Sequence, residues 1–213
     1  LYFQNKDEVY LQVGTREFDA LHNELLEGYN SSQDPFEKLR AMTKRFLAFG
    51  LSHSSNYDLM FSLQIPKSSD FFGSPSEAMA IGLLSGALRV RDLIVRVIDE
   101  IAKSGGDFTE EEIVLHSMAW LTGMHGILAL YNNAILSYLH DRPESTLETL
   151  AELHLRNFQP ERMRASAARS SGFRRKASSS SSRSTMPAAS TRKRVTSTPV
   201  ASRAAAGSSS GSP

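Results

Sequence analysis

Five stretches of this chain carry the same punctuation, and it restricts the fold more than any other feature. Thr15 precedes Arg16-Glu17-Phe18, and Asp34 stands before Pro35 with Glu37 three residues on. Ser74-Pro75-Ser76-Glu77, Thr109-Glu110-Glu111-Glu112 and Ser145-Thr146-Leu147-Glu148 repeat the arrangement. A side-chain oxygen just ahead of a helix accepts from its unpaired N–H groups, and a glutamate three residues on answers it. Proline suits the first turn, and acids there meet the positive end of the helix dipole. Apolar residues then recur at helical spacing, as in Met79, Leu83, Val90, Ile94, Val97 and Ile101. The pattern predicts an all-α fold, a helical bundle of about six helices.

The expected helices run from Thr15, over 35–53, over 56–64, over 75–104, from Thr109 to Leu139, and from Ser145 to a stop at Pro160. Ile65-Pro66 breaks the third, because proline disfavours helix at the residue before it. Gly105-Gly106 ends the fourth. Phe71 and Phe72, adjacent in a polar loop, are expected to plug a core edge. Lys38, Arg40, Lys44 and Arg45 are expected to face water. Asp92–Arg96, Arg96–Glu100 and Asp99–Lys103 are spaced as i, i+4 pairs on a solvated face.

The stretch 116–133 holds the sole tryptophan, Trp120, and two of the six histidines. It is apolar on most sides, which predicts a helix central to a core or shared with a partner chain.

Charge divides the chain. Residues 1–163 contain 14 Lys/Arg against 23 Asp/Glu, a net −9, whereas residues 164–213 contain ten basic residues and no acid. That second segment, rich in Ser, Ala and Arg, cannot bury enough apolar surface to offset its conformational entropy. It is expected to be a disordered basic tail after a helical domain at 6–163. Leu1-Tyr2-Phe3-Gln4 matches the end of a viral protease site used to remove purification tags, so residues 1–5 read as a tag remnant. Cysteine is absent, so no disulfide framework is possible. No run of about 18 apolar residues is evident, and no membrane span is expected. A cytoplasmic setting follows as the expectation.

The histidines do not form a metal motif: His116 and His125 are nine apart, and His22, His53, His140 and His154 are scattered. No metal and no cofactor is expected. No nucleophile elbow or phosphate loop is present, so no catalytic residues are assigned and the chain does not read as an enzyme.

Val9-Tyr10-Leu11-Gln12-Val13-Gly14-Thr15-Arg16-Glu17-Phe18-Asp19-Ala20-Leu21 and Trp120-Leu121-Thr122-Gly123-Met124-His125-Gly126-Ile127 carry a resemblance, with Asp34–Ala41 and Ser54–Phe61 in matching order. Together they resemble the C-terminal ligand-sensing and dimerisation domain of TetR-type transcriptional repressors, over about residues 7–158. The second string looks like the Trp…His-Gly signature of one subgroup. The family's N-terminal helix-turn-helix is missing from this sequence, so the chain reads as a sensing domain cut from its DNA reader or as a protein that naturally lacks one. The resemblance implies a homodimer, a small mostly apolar effector, and DNA contact only through that missing reader.

It also implies a pocket between the helices starting at Asp34, Asn56, Ser74 and Thr109. Met42, Phe46, Met60, Phe61, Leu83 and Trp120 are the expected lining, and His125 the expected polar group. The expected dimer interface is half of a four-helix bundle, from Met124, Leu128, Tyr131, Ile135, Leu147, Leu150 and His154. Gly126 and Ala129 would permit close approach. The alternative is a helical protein-interaction module whose basic tail contacts nucleic acid.

Overall fold

Asn5 starts the first helix. Its side-chain oxygen accepts from the backbone N–H groups of Asp7 and Glu8, each at 3.0 Å. The structure, a computed structural model, describes residues 5–61 and 66–166. Helix α1 (Lys6–Asn30) runs unbroken, so the expected start at Thr15 is absent. The Thr15 hydroxyl instead donates to the Leu11 carbonyl at 2.7 Å, the i−4 bond that satisfies a threonine inside a helix. Residues 1–4 lie outside the described residues, and Asn5 serves the helix as its cap.

The remaining helices are α2 (Pro35–Ser52), α3 (Ser54–Phe61), α4 (Glu77–Gly105), α5 (Glu110–Asn132), α6 (Leu136–Leu139) and α7 (Pro143–Leu155). Single 3-10 turns occupy Ser68–Phe71 and Arg156–Phe158. Every regular element among the described residues is helical, so the chain is all-α. Asp34 caps α2, accepting from Glu37 N at 2.8 Å. Thr109 and Glu112 cap each other at the head of α5.

Ser74 makes part of the expected cap, its Oγ accepting from Ser76 N at 3.2 Å just ahead of α4, whereas Ser145 does not cap. Ser74 Oγ donates to Phe71 O at 2.6 Å and closes the turn ahead of α4. Helix α7 begins two residues before Ser145, at Pro143, and the Ser145 and Thr146 hydroxyls fold back onto the Arg142 carbonyl. The fixed φ of proline sets the start there. Pro160 likewise opens helical turns over 160–166 and stops nothing. The expected tail boundary at 164 therefore moves, and 167–213 lies outside the described residues. Phe71 is buried but Phe72 is exposed, so half of the aromatic plug forms.

The single helix expected from Thr109 to Leu139 breaks after Asn132. Ala134 has φ 56°. Its N–H bonds Tyr131 O, and that of Ile135 reaches Leu130 O, both at 2.9 Å, the paired closing bonds of a Schellman end. Asn133 Nδ2 adds a bond to Ala129 O at 2.8 Å. A residue with a Cβ in the left-handed region costs roughly 1–2 kcal/mol. Ala134→Gly should therefore raise stability by about 1 kcal/mol, read as a higher melting temperature. A lowered melting temperature would contradict this account of the helix end.

Helix α1 packs along α4 and α2, and α5 packs against α7, α4 and α2. Glycines set two close approaches: Gly28 of α1 lies against the backbone of Met42, and Gly14 against the Leu83 side chain. Leu21, Leu39, Phe46, Ile98, Trp120 and Met124 form the centre of the core, all fully buried. Helix α5 brings Trp120, Met124 and Leu128 into that core, yet only 28% of its most apolar window is buried. By length and composition alone it is apolar enough to cross a membrane, contrary to the expectation that no segment would be. A core helix passes the same test.

The solvated-face reading of Lys38 is corrected. Lys38 Nζ donates to Glu100 at 2.8 Å and lies 4.3 Å from the Tyr29 ring centroid. Tyr29 also donates to Glu100. Arg96 sits near the same ring, Asp92 pairs with Arg91, and of the three expected i, i+4 pairs only Asp99–Lys103 forms. Burial pushes the Glu100 carboxyl up, but the bonds from Lys38 and Tyr29 and the Lys38 and Arg96 charges outweigh it and hold the pKa below its ordinary value. A depressed carboxylate pKa contributes stability that is present above the unfolded value of 4.5 and is lost as pH falls through the folded value. Glu100→Gln should flatten this part of the acid limb in urea unfolding. An unchanged limb would remove Glu100 from the account.

Candidate functional site

The inward stripe of α1 reads Leu11, Gly14, Phe18, Leu21, Leu25, and Glu17 sits on it. Glu17 is only 6% exposed. A buried carboxylate needs partners, and it has two. His53 Nδ1 lies 2.8 Å from Oε2, and Asn56 Nδ2 donates to Oε1 at 2.8 Å. His53 ends α2 and stacks on Phe49, with centroids 4.5 Å apart. Its carbonyl accepts from Tyr57 N at 2.8 Å, so α3 follows α2 after a one-residue kink. Asn56 then faces α1.

Tyr57, the next residue, reaches α5. Its hydroxyl is hydrogen-bonded to His125 Nδ1 at 3.0 Å. Burial pushes the Tyr57 hydroxyl far above its ordinary pKa, and the charge of Asp58 adds to this. Burial also pushes His125 down, against an opposing effect of Asp58. At neutral pH, Tyr57 therefore keeps its proton and His125 is uncharged. The other ring nitrogen of His125, Nε2, takes no part in the bond to Tyr57.

Aromatic rings surround this pair. Phe61 lies 4.7 Å from Tyr57 and 5.1 Å from His125 by centroids. Phe46 makes edge contacts with Tyr57 at 6.0 Å and Trp120 at 5.4 Å. Trp120 Nε1 donates to Thr43 Oγ1 at 3.1 Å, and Thr43 passes its own hydrogen to Leu39 O at 2.8 Å. The cluster thus joins α2, α3 and α5 through rings.

Of the expected lining residues, the structure brings Phe46, Phe61, Trp120 and His125 together through Tyr57. Met60 is buried on α3. Met42 and Leu83 lie at the α1 crossings, against Gly28 and Gly14. Met42, Phe46 and Trp120 are fully buried, whereas Phe61 and His125 are half-buried.

The expected dimer residues divide differently. Met124, Leu128 and Leu147 are buried within their own chain, and Leu128 packs on Gly50. His154 lies over Gly123 and gives its Nε2 hydrogen to Trp120 O at 3.2 Å. Met124 and Leu128 face inward because α7 and α2 cover that side of α5, and Leu147 and His154 belong to the covering helix α7. Tyr131 and Leu150 are half-buried, and Ile135 is exposed. The outward face of α5 instead carries Leu115 and Met118, 51% and 58% exposed, beside Gly126 with open space around it. Sequence reading does not single out Glu17, His53, Asn56 or Tyr57. The available signal was a glutamate on an apolar stripe.

Among the described residues, no group of three or more His, Asp or Glu is placed to hold a metal ion. The fold defines the chain as an all-α helical protein. No protein-family model matches it, and no curated protein or solved structure does.

Proposed function

We propose that this chain is the effector-sensing and dimerisation domain of a TetR-like repressor, binding a small, mostly apolar molecule and relaying its presence to a DNA-reading segment. The observation that carries the reading is the position of α3. Adjacent residues of this short helix hold two different walls: Asn56 bonds Glu17 of α1, and Tyr57 bonds His125 of α5. A molecule that bonds His125 in the aromatic cluster would shift α3, and α3 would shift α1 through Glu17. That is the differential contact a two-state relay needs. The poorly buried, apolar outer face of α5 supports a second copy as partner. The chain is proposed to do no catalysis.

Two measurements test this. Light scattering at micromolar concentration should give a dimer, and Met118→Glu should give a monomer. Thermal-shift screening of planar and aliphatic compounds should find binders whose affinity falls with Tyr57→Phe and His125→Ala but not with Ala134→Gly. A monomer in the first measurement, or binders indifferent to Tyr57 and His125, would overturn the reading.

A further inference from the structure

Helix α5 carries no Asp, Glu, Lys or Arg after Glu112, and none follows until Asp141. Its outward face is apolar and uncharged: Val114, Leu115 and Met118 are exposed, and Gly126 has open space around it. A face without charge can meet its own copy with no like-charge repulsion. It can also meet itself in register. Residues four apart share a helix face. Met118 stands four before Thr122, and Gly126 four after it. A two-fold axis at Thr122 seats Met118 of each copy on Gly126 of the other, a long side chain against a position with none.

His125 belongs to this face. Seven residues at roughly 100° each return the helix to within about 20° of its start, so His125 stands in line with Met118. Its ring is half-buried, with Tyr57 and Phe61 on one side at centroid distances of 5.6 and 5.1 Å. Phe61 is half-buried as well. The group proposed to bond the effector therefore opens onto the face proposed to meet the partner. A small molecule on His125 of one chain alone would stay partly wet, whereas small-molecule sites enclose most of their ligand. With the axis at Thr122, the residue opposite His125 is Ala119 of the partner subunit. A second copy closes the open side there with a short side chain, which leaves room for a ligand.

We propose that a second copy completes the Tyr57–His125 site, so that effector binding and chain pairing are one linked equilibrium. This inference rests on the effector-sensing reading and adds that neither chain holds the whole site.

The probe is N-phenyl-1-naphthylamine, a neutral planar dye that brightens in apolar surroundings. Its binding to the full chain is titrated by fluorescence while sedimentation velocity follows the mass. The dye should bind the dimer about tenfold more tightly than the monomer, and by reciprocity should tighten the dimer by the same factor. Met118→Glu and Leu115→Glu should each give a monomer with that loss of affinity. Leu115 lies ten residues from His125, about 15 Å along the helix, so its substitution spares the site itself. The chain has no cysteine, so Thr122→Cys places a single thiol on the axis. Mild oxidation should join two chains through it, and Thr122→Cys combined with Leu115→Glu should regain dye affinity once oxidised. A parent dimer that does not bind the dye, or equal affinity in the parent dimer and the Leu115→Glu monomer, overturns this inference and leaves the effector-sensing reading standing. A monomeric parent chain, or dye binding indifferent to both Tyr57→Phe and His125→Ala, overturns that reading and this inference together.

Discussion

Trp120→Ala is expected to lose about 3–5 kcal/mol of stability, the range for deleting a large buried aromatic side chain. Trp120 is fully buried. Its ring meets Phe46 edge-on, and its N–H is the donor that Thr43 receives. Truncation leaves a cavity between α2 and α5 and takes one partner from a buried hydroxyl. Trp120→Phe should cost less, because much of the volume remains while the Thr43 bond is lost. Chemical denaturation of both variants checks the order. Equal losses would mean that the ring volume contributes little and that the polar contact dominates. The loss also bears on the site, because the cavity would open beside the rings that contact Tyr57. If those rings line an effector site, Trp120→Ala should alter which compounds bind as well as stability.

Gly28→Ala is the second large effect, expected at about 3 kcal/mol of destabilisation. A Cβ at this position would come within 2.8 Å of Met42 N and 2.9 Å of Met42 Cα. Both atoms are backbone, so α1 and α2 must separate to admit a single methyl group. Gly126→Ala supplies the control, since a Cβ there meets nothing within 4 Å. It should stabilise an isolated chain by about 1 kcal/mol through helix propensity alone. If two copies meet closely at Gly126, as the dimer reading expects, that gain should shrink or reverse as protein concentration rises. Melting temperatures of both variants across a concentration series separate the cases. A Gly28→Ala variant as stable as the parent would show that α1 and α2 do not approach as described.

Helix type and several boundaries were legible because the signals are local. Asp34 and Thr109 cap as their spacing implies, and Gly106 ends α4. The errors were local competitions decided by a neighbour. Thr15 resembles a cap but bonds back to Leu11, and Ser145 resembles one but follows Pro143. Asn133 and Ala134 carry no strong break signal, yet they end α5. The site was less legible. Its aromatic members were readable as apolar residues at helical spacing. The polar links, Glu17 to His53 and Asn56 and Tyr57 to His125, join residues 36 to 68 positions apart. No periodicity reports a pair at that separation.

By itself, the sequence determined that this chain is a bundle of helices and that the helix bearing Trp120 is apolar on most sides, either central to the core or shared with a partner chain. Caps, prolines and a 3.6-residue repeat act within a few residues of each other, so they can be read along the chain. Only the tertiary structure decided which way that helix turns. Helix α5 is apolar nearly all round, so its own pattern favours no single face. Met124 and Leu128 face inward because α7 lies on Gly123 and α2 brings Gly50 against Leu128, which leaves Leu115 and Met118 outside. A helix without a polar face takes its orientation from what packs against it.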